Sequence, residues 1–277
     1  MRGEVKAEGL YLYCLRESAP GYLVAPTKGI DGNGEVFVLP FRDLEAIVSE
    51  VALEAFASEE IQRKAQEDLN WIKEKAVAHA KVVQEAMRRD HILLDLIPMK
   101  FGTIFKDRAR LEEVLEKDYL RIREVLERIR GKQEWSVKAY LSDRKAFEEK
   151  TKEKNKAIKE KEKEISTLPE GMAYFLEEAL KEVISKEVDI ELNYIVAHIY
   201  EKLKKHAVDS VRCKILGREL TGRIEPMVLN AAYLFPEEKF EDFKKEVEEI
   251  NEKIQGQGLY IKYSGPWPAY NFTPLEI

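Results

Sequence analysis

The sequence predicts an α+β protein in two domains, residues 1–141 and 142–277. Three observations support this. At 277 residues the chain is long for one core and comfortable for two. Each half holds the same succession: an apolar segment ending in Phe (Phe105, Phe235), an amphipathic helix, a glycine and a returning strand. Such a succession makes one layer of a helix-on-sheet sandwich. Between the halves, residues 142–165 are dense in Lys and Glu, which reads as a solvated helix or a linker.

The first strand is expected at residues 9–15, apolar on both faces as a central strand must be. Turns follow at Pro20-Gly21 and at Gly29-Ile30-Asp31-Gly32-Asn33-Gly34, then short strands at 35–39 and 44–51, separated by Pro40. A helix is expected from an N-cap at Ser58, with Glu59 and Glu60 in its first turn. Ile61, Ala65, Leu69, Ile72, Ala76, Val83 and Ala86 form its inner stripe, to about Arg89. The next helix, capped by Asp107, buries Leu111, Leu115, Ile122, Leu126 and Ile129 and stops at Gly131. Residues 134–141 alternate as a strand, with Trp135, Val137, Ala139 and Leu141 on one face, and are read as the last strand of the first domain.

In the second domain one long helix is expected from Thr167 to about Lys205, with Asp189 as the place for a bend or break. Its stripe is Leu180, Val183, Ile184, Leu192, Ile195, Ile199 and Leu203. Strands follow at 207–216 and 227–235. Pro236 then opens a helix with Phe240, Phe243, Val247, Ile250 and Ile254 inward, and a last strand carries Leu259, Ile261 and Tyr263.

Composition narrows the function. Charged residues make up 35% of the chain, yet the net charge is only −6 because Lys and Glu are interspersed. That argues against nucleic acid, which calls for a basic face. No apolar run reaches the ~18 residues of a membrane span, and Met1-Arg2-Gly3-Glu4 lacks a signal-peptide core. Cys14 and Cys213 sit in apolar runs and read as buried thiols of a reducing compartment. The expectation is a cytoplasmic protein.

Motifs for chemistry are missing from the sequence. His79, His91, His198 and His206 form no HExxH or HxH pattern, and no CxxC, Walker loop or GxSxG elbow occurs. His79 reads as a packed or rim residue. The chain is therefore read as a non-enzyme, with no catalytic residue, cofactor or metal. What stands out is aromatic and proline punctuation: Pro98-Met99-Lys100-Phe101-Gly102-Thr103-Ile104-Phe105, and the tail Gly265-Pro266-Trp267-Pro268-Ala269-Tyr270-Asn271-Phe272. Each tail aromatic has a large area to bury. The tail either closes the protein's own core or offers a docking strip; the first reading is favoured.

At these residues the chain resembles the gas vesicle accessory protein family that includes GvpL and GvpF. The resemblance rests on Leu10-Tyr11-Leu12-Tyr13-Cys14 with Gly29-Ile30-Asp31-Gly32, on residues 44–51, on residues 98–105 with Glu134-Trp135-Ser136-Val137-Lys138, and on residues 265–272. Lys100 stands where the family often has Arg, and Ala269 where it often has proline. The resemblance implies a modified ferredoxin-like N-terminal domain, a C-terminal α+β domain with long helices, and binding of the hydrophobic shell protein or other gas vesicle accessory proteins. The N-terminal domain, 1–141, is the candidate shell-binding part. Lys100, Phe101, Gly102, Trp135, Trp267, Tyr270 and Phe272 are the candidate protein-binding or family-motif residues. Two other readings stand beside this one: a minor structural component of the vesicle wall, and an enzyme with dispersed catalytic residues.

Overall fold

Strand β1 (Glu8–Glu17) runs through the middle of the first sheet. Its residues 10–15 are all buried, which is why the segment is apolar on both faces. The structure is a computed structural model and describes residues 8–19, 27–56, 63–64, 67–89, 91–275 and 277. The expected Pro20-Gly21 turn, the Ser58 cap with Glu59 and Glu60, and the stripe positions Ile61 and Ala65 lie outside the described residues. The protein is a mixed helix and strand fold with two main sheets. It divides into two compact units, residues 1–134 with 266–277, and residues 135–265.

In the first unit β2 (Val36–Phe41), β3 (Leu44–Ala52) and β1 lie side by side in the order β2-β3-β1, each pair antiparallel. Pro40 does not separate two strands, as the sequence suggested. It lies within β2, at the sheet edge, where a missing N–H is tolerated. A single turn α1 (Leu53–Phe56) follows, then helix α2 (Leu69–Met87), with Asp68 as N-cap accepting from the Trp71 amide at 3.0 Å. The inner face of α2 is His79, Val82, Val83, Ala86 and Met87, whereas Ala76 is exposed. The spacing rule placed Ala76 inward because it counts apolar residues; His79 takes the buried face by bonding its ring nitrogen.

A short ladder β4 (Arg88–Arg89) and β5 (Ile92–Leu93) leads to β6 (Leu96–Pro98) and β7 (Ile104–Phe105). Both β6 and β7 pair with β1, at its two ends, so they act as one strand interrupted by residues 99–103. Helix α3 (Arg108–Ile129) starts at Asp107, whose carboxylate accepts from the Arg110 amide at 2.8 Å. It buries Leu111, Leu115, Ile122, Leu126 and Ile129, the stripe its period predicts, and ends at Gly131 with φ +65°. The sheet thus has a core on each face. Leu10, Leu12, Leu15 and Val48 meet α3, while Tyr11, Tyr13, Ile47 and Val51 share a core with α2.

The second unit is a β-α-β-β-α-β succession. Strand β8 (Lys132–Leu141) is followed by three helices, α4 (Arg144–Lys154), α5 (Lys156–Ile165) and α6 (Glu170–Lys204). Next come β9 (Asp209–Arg212), a one-turn helix α7 (Arg218–Thr221) and β10 (Met227–Pro236). A 3-10 turn at Glu237–Lys239 leads into helix α8 (Phe240–Gln255), and β11 (Leu259–Trp267) closes the unit. The strand order is β11-β8-β10-β9. The Lys/Glu-rich segment is helical, the first of its two expected readings, but not wholly solvated: Phe147, Ile158 and Ile165 bury into the same core as Leu180, Ile184 and Leu203 of α6. Helix α6 runs unbroken through Asp189 for 35 residues, about 52 Å. Val183, expected inward, is exposed.

The division differs from the expected 1–141 and 142–277 in two places. Strand β8 is not the last strand of the first sheet; it sits between β10 and β11, and Trp135, Val137, Ala139 and Leu141 face the second core. The tail beyond Pro266 belongs to the first unit, not the second. Alternation reveals that a strand has a buried face but not which distant strands it pairs with. Of the two thiols, Cys14 is fully buried and Cys213 only half-buried.

Candidate functional site

The motif residues of β1 act as anchors for two loops. A bulge interrupts the pairing with β3, so that Leu12 opposes Val48 and Cys14 opposes Ile47, with Tyr13 as the extra residue. The bulge turns Tyr13 and Cys14 toward the same side as Tyr11. Tyr13 Oη accepts from the Ile30 amide at 2.7 Å and lies 2.9 Å from Ser49 Oγ. It thereby holds the glycine-rich loop, which closes on itself through Gly29 N–H to the Gly34 carbonyl at 2.7 Å. A side chain at Gly29 would meet Ser49 Oγ at 2.6 Å, so glycine is the residue that fits.

Tyr11 does the same for residues 99–103. Its phenol oxygen accepts from the Gly102 amide at 2.9 Å and lies 3.0 Å from His79 Nδ1. The phenol oxygen can accept a second hydrogen bond, so Tyr11 and His79 join through either the phenol proton or an imidazole Nδ1–H. Burial lowers the His79 pKa to about 4, and the ring is neutral at ordinary pH. Burial also raises Tyr13 to about 12. Gly102 has φ +85°, which this turn requires. Phe101 closes the cluster, with its ring centroid 6.2 Å from His79 and 6.5 Å from Tyr11. Beside it Arg16 donates Nε–H to Glu45 Oε2 at 2.8 Å and Nη1–H to the Ala86 carbonyl at 2.9 Å, all buried.

The tail is fastened to the first unit by backbone and side-chain bonds. Glu134 accepts from the Asn271 amide at 3.0 Å and from Asn271 Nδ2 at 2.6 Å. Arg121 donates to the Pro274 carbonyl at 3.1 Å, and Arg128 donates to that of Phe272. Ala269, Phe272 and Leu275 are buried, and Leu275 joins the core of α3. The tail fills its seat closely: the cleft between Pro266–Ala269 and residues 93–96 holds only about 30 Å³.

The structure brings Lys100, Phe101, Gly102, Trp267, Tyr270 and Phe272 into the first unit. Lys100 is exposed, Phe101 half-buried, and Phe272 buried. Trp267 and Tyr270 stay 38% and 43% exposed, the tail's outward aromatics. Trp135 stands apart, buried in the second core and stacked on Phe240 at 4.2 Å between centroids. Sequence reasoning quoted Tyr11, Tyr13, Glu45 and Ser49 as motif letters without a role, and missed Arg16. The signal for Arg16 was present: a charged residue inside an apolar central strand requires a buried partner.

Burial raises Glu134 to about 7, against the two bonds from Asn271 that favour its anion. The folded value lies above that of a free Glu, so the fold favours the neutral acid. This contribution is complete below about pH 4.5 and is lost as pH rises through about 7. We expect the thermal midpoint to fall between pH 5 and pH 8, and Glu134→Gln to flatten that slope. An equal slope in both proteins, measured by thermal unfolding, contradicts the assignment.

The comparisons agree with this fold. The family model for gas vesicle synthesis protein GvpL/GvpF matches residues 9–274. Gas vesicle protein L of Streptomyces sp. (strain CB03234) is 24% identical over 267 residues, 96% of this chain and 92% of that protein. Gas vesicle protein F of Nostoc sp. (strain PCC 7120) is 26% identical over 203 residues, 72% of this chain and 77% of that protein. The crystal structure of GvpF from Anabaena sp. PCC7120 superposes with a TM-score of 0.73 at 21% identity, covering 98% of this chain and 100% of that one. With a family match that spans both units, the chain belongs to the GvpL/GvpF family of gas vesicle synthesis proteins.

Proposed function

We propose that this chain is an accessory protein of gas vesicle assembly, which holds the hydrophobic shell protein or other assembly factors in the cytoplasm. The observation that carries this reading is the family match over residues 9–274. A wall that excludes liquid water is built from subunits with exposed apolar surface, and such surface aggregates unless covered. We read the second unit, with its β-α-β-β-α-β succession, as the modified ferredoxin-like one, in place of the N-terminal placement expected from the sequence, and assign the binding surface to the first unit. Trp267 and Tyr270, with Lys100 and Phe101 on the 99–103 loop, are its contact residues. Trp135 and Phe272, being buried, act by holding the fold.

Pull-down of the shell protein by the full chain tests this. Binding is expected, and Trp267→Ala with Tyr270→Ala should weaken it at least about tenfold, as for exposed aromatic anchors at an interface. The thermal midpoint should fall by less than for the fully buried Phe272, because both rings are partly exposed, and binding is compared where the variant is folded. No binding by the full chain, or equal binding by the double variant, overturns the reading. Recovery of the protein in washed vesicles, resistant to salt and mild detergent, indicates instead a minor component of the wall.

A further inference from the structure

A chain of buried bonds runs from helix α2 to the 99–103 loop. That loop is clipped to β1 at both ends. The Met99 amide donates to the Tyr13 carbonyl at 2.8 Å, and the Leu12 amide to the Thr103 carbonyl at 2.9 Å. Between the clips the chain turns, with the Thr103 amide 3.2 Å from the Lys100 carbonyl. The crown of the turn hangs on the Tyr11 phenol, which accepts from the Gly102 amide at 2.9 Å. That phenol lies 3.0 Å from His79 Nδ1. Helix α2 thus reaches the crown through a side chain of β1. The polarity of His79 calls for a reason. It is buried on a face shared with Val82, Val83 and Ala86, among the rings of Tyr11, Tyr13 and Phe101 at 5.7, 5.7 and 6.2 Å between centroids. A phenyl ring would fill the same place without the cost of desolvating an imidazole. What it would lack is the bond to Tyr11. Whichever group carries the shared proton, that bond fixes the phenol oxygen at the spot where Gly102 finds its acceptor.

We propose that His79 is a positioning residue for the partner contact: through Tyr11 it holds Lys100 and Phe101 in the geometry that the partner meets. This rests on the reading of those two side chains as contact residues. A loop already held in its bound shape gives up less freedom on binding, so the bond chain acts on affinity without touching the partner. Tyr11 is fully buried and His79 is 4% exposed, so a partner reaches neither. Tyr13 supplies an internal control. Its phenol is buried in the same cluster but holds the Ile30 amide of the glycine-rich loop instead.

Amide hydrogen exchange and shell-protein pull-down on the full chain test it, at a temperature where every variant is folded. Tyr11→Phe keeps the ring and removes the hydroxyl. Exchange at Gly102 should then speed at least about tenfold relative to the amides of β3, the effect of one lost hydrogen bond. Affinity for shell protein should fall at least about fivefold. His79→Ala should act in the same direction. His79→Asn, whose amide stands near the place of Nδ1, should restore most of both. Tyr13→Phe should leave Gly102 exchange and binding near native. Should His79→Ala fail to fold, Tyr11→Phe and His79→Asn carry the test. Exchange that speeds equally at Gly102 and in β3 marks a general loss of stability and overturns the proposal. So does a Tyr11→Phe chain with a freed Gly102 that binds as the native chain does, and so does an equal loss of binding in Tyr13→Phe. A native chain that captures no shell protein overturns the shell-binding reading instead; the exchange at Gly102 in His79→Ala and His79→Asn then decides by itself whether His79 positions the loop.

Discussion

Replacing Glu45 by alanine is expected to destabilise the protein by about 3–5 kcal/mol, the usual cost of leaving one member of a buried ion pair alone. Arg16 is 1% exposed, and its guanidinium meets Glu45 at 2.8 Å through both Nε and Nη2. With Glu45 gone, a buried cation loses its carboxylate partner. The loss also frees the chain after β1, because the Ala19 amide donates to Glu45 Oε1 at 3.1 Å. The pair is not expected to be a net source of stability. Arg16→Met combined with Glu45→Leu should recover most of the loss, since desolvation of both ions then vanishes. Urea unfolding of the native chain, the single variant and the double variant checks both statements. A single-variant loss below about 1 kcal/mol, the level of a solvated pair, contradicts the first.

Cutting Phe272 back to alanine is expected to cost about 3–5 kcal/mol, as for a buried aromatic whose site collapses only partly. Phe272 is 3% exposed, and its carbonyl is held by Arg128. For a body of this size such a loss lowers the thermal midpoint by roughly 10 °C. Removal of residues 266–277 should cost more. It takes Leu275 from the α3 core and removes the Asn271 bonds to Glu134. At a temperature where the Phe272→Ala chain remains folded, its partner affinity should match the native one. An unchanged midpoint with lost binding reverses the assignment and makes Phe272 a contact residue beside Trp267 and Tyr270.

Much of the site was legible in letters but not in roles. The strings around Tyr11, Gly29, Phe101 and Trp267 stood out for their aromatics, prolines and glycines. Their meeting did not, because Tyr11 bonds to Gly102 across 91 positions and Tyr13 to Ile30 across 17. The bulge that turns Tyr13 and Cys14 to one side has no local signature, and strict alternation would put Cys14 on the opposite face.

The sequence by itself determined the elements whose signal is local. Helix α3 with its Asp107 cap and Gly131 stop, the buried β1, and the inner face of α8 all follow from period and end chemistry over a few turns. Only the tertiary structure decided ownership. Strand β8 joins the second sheet because its partners β10 and β11 arrive about a hundred residues later. The aromatic tail returns to the first unit because Glu134, Arg128 and Arg121 supply its bonds and α3 its core. Burial, period and capping are properties of a segment. Pairing is a property of two segments, and the chain's own pattern does not name the second.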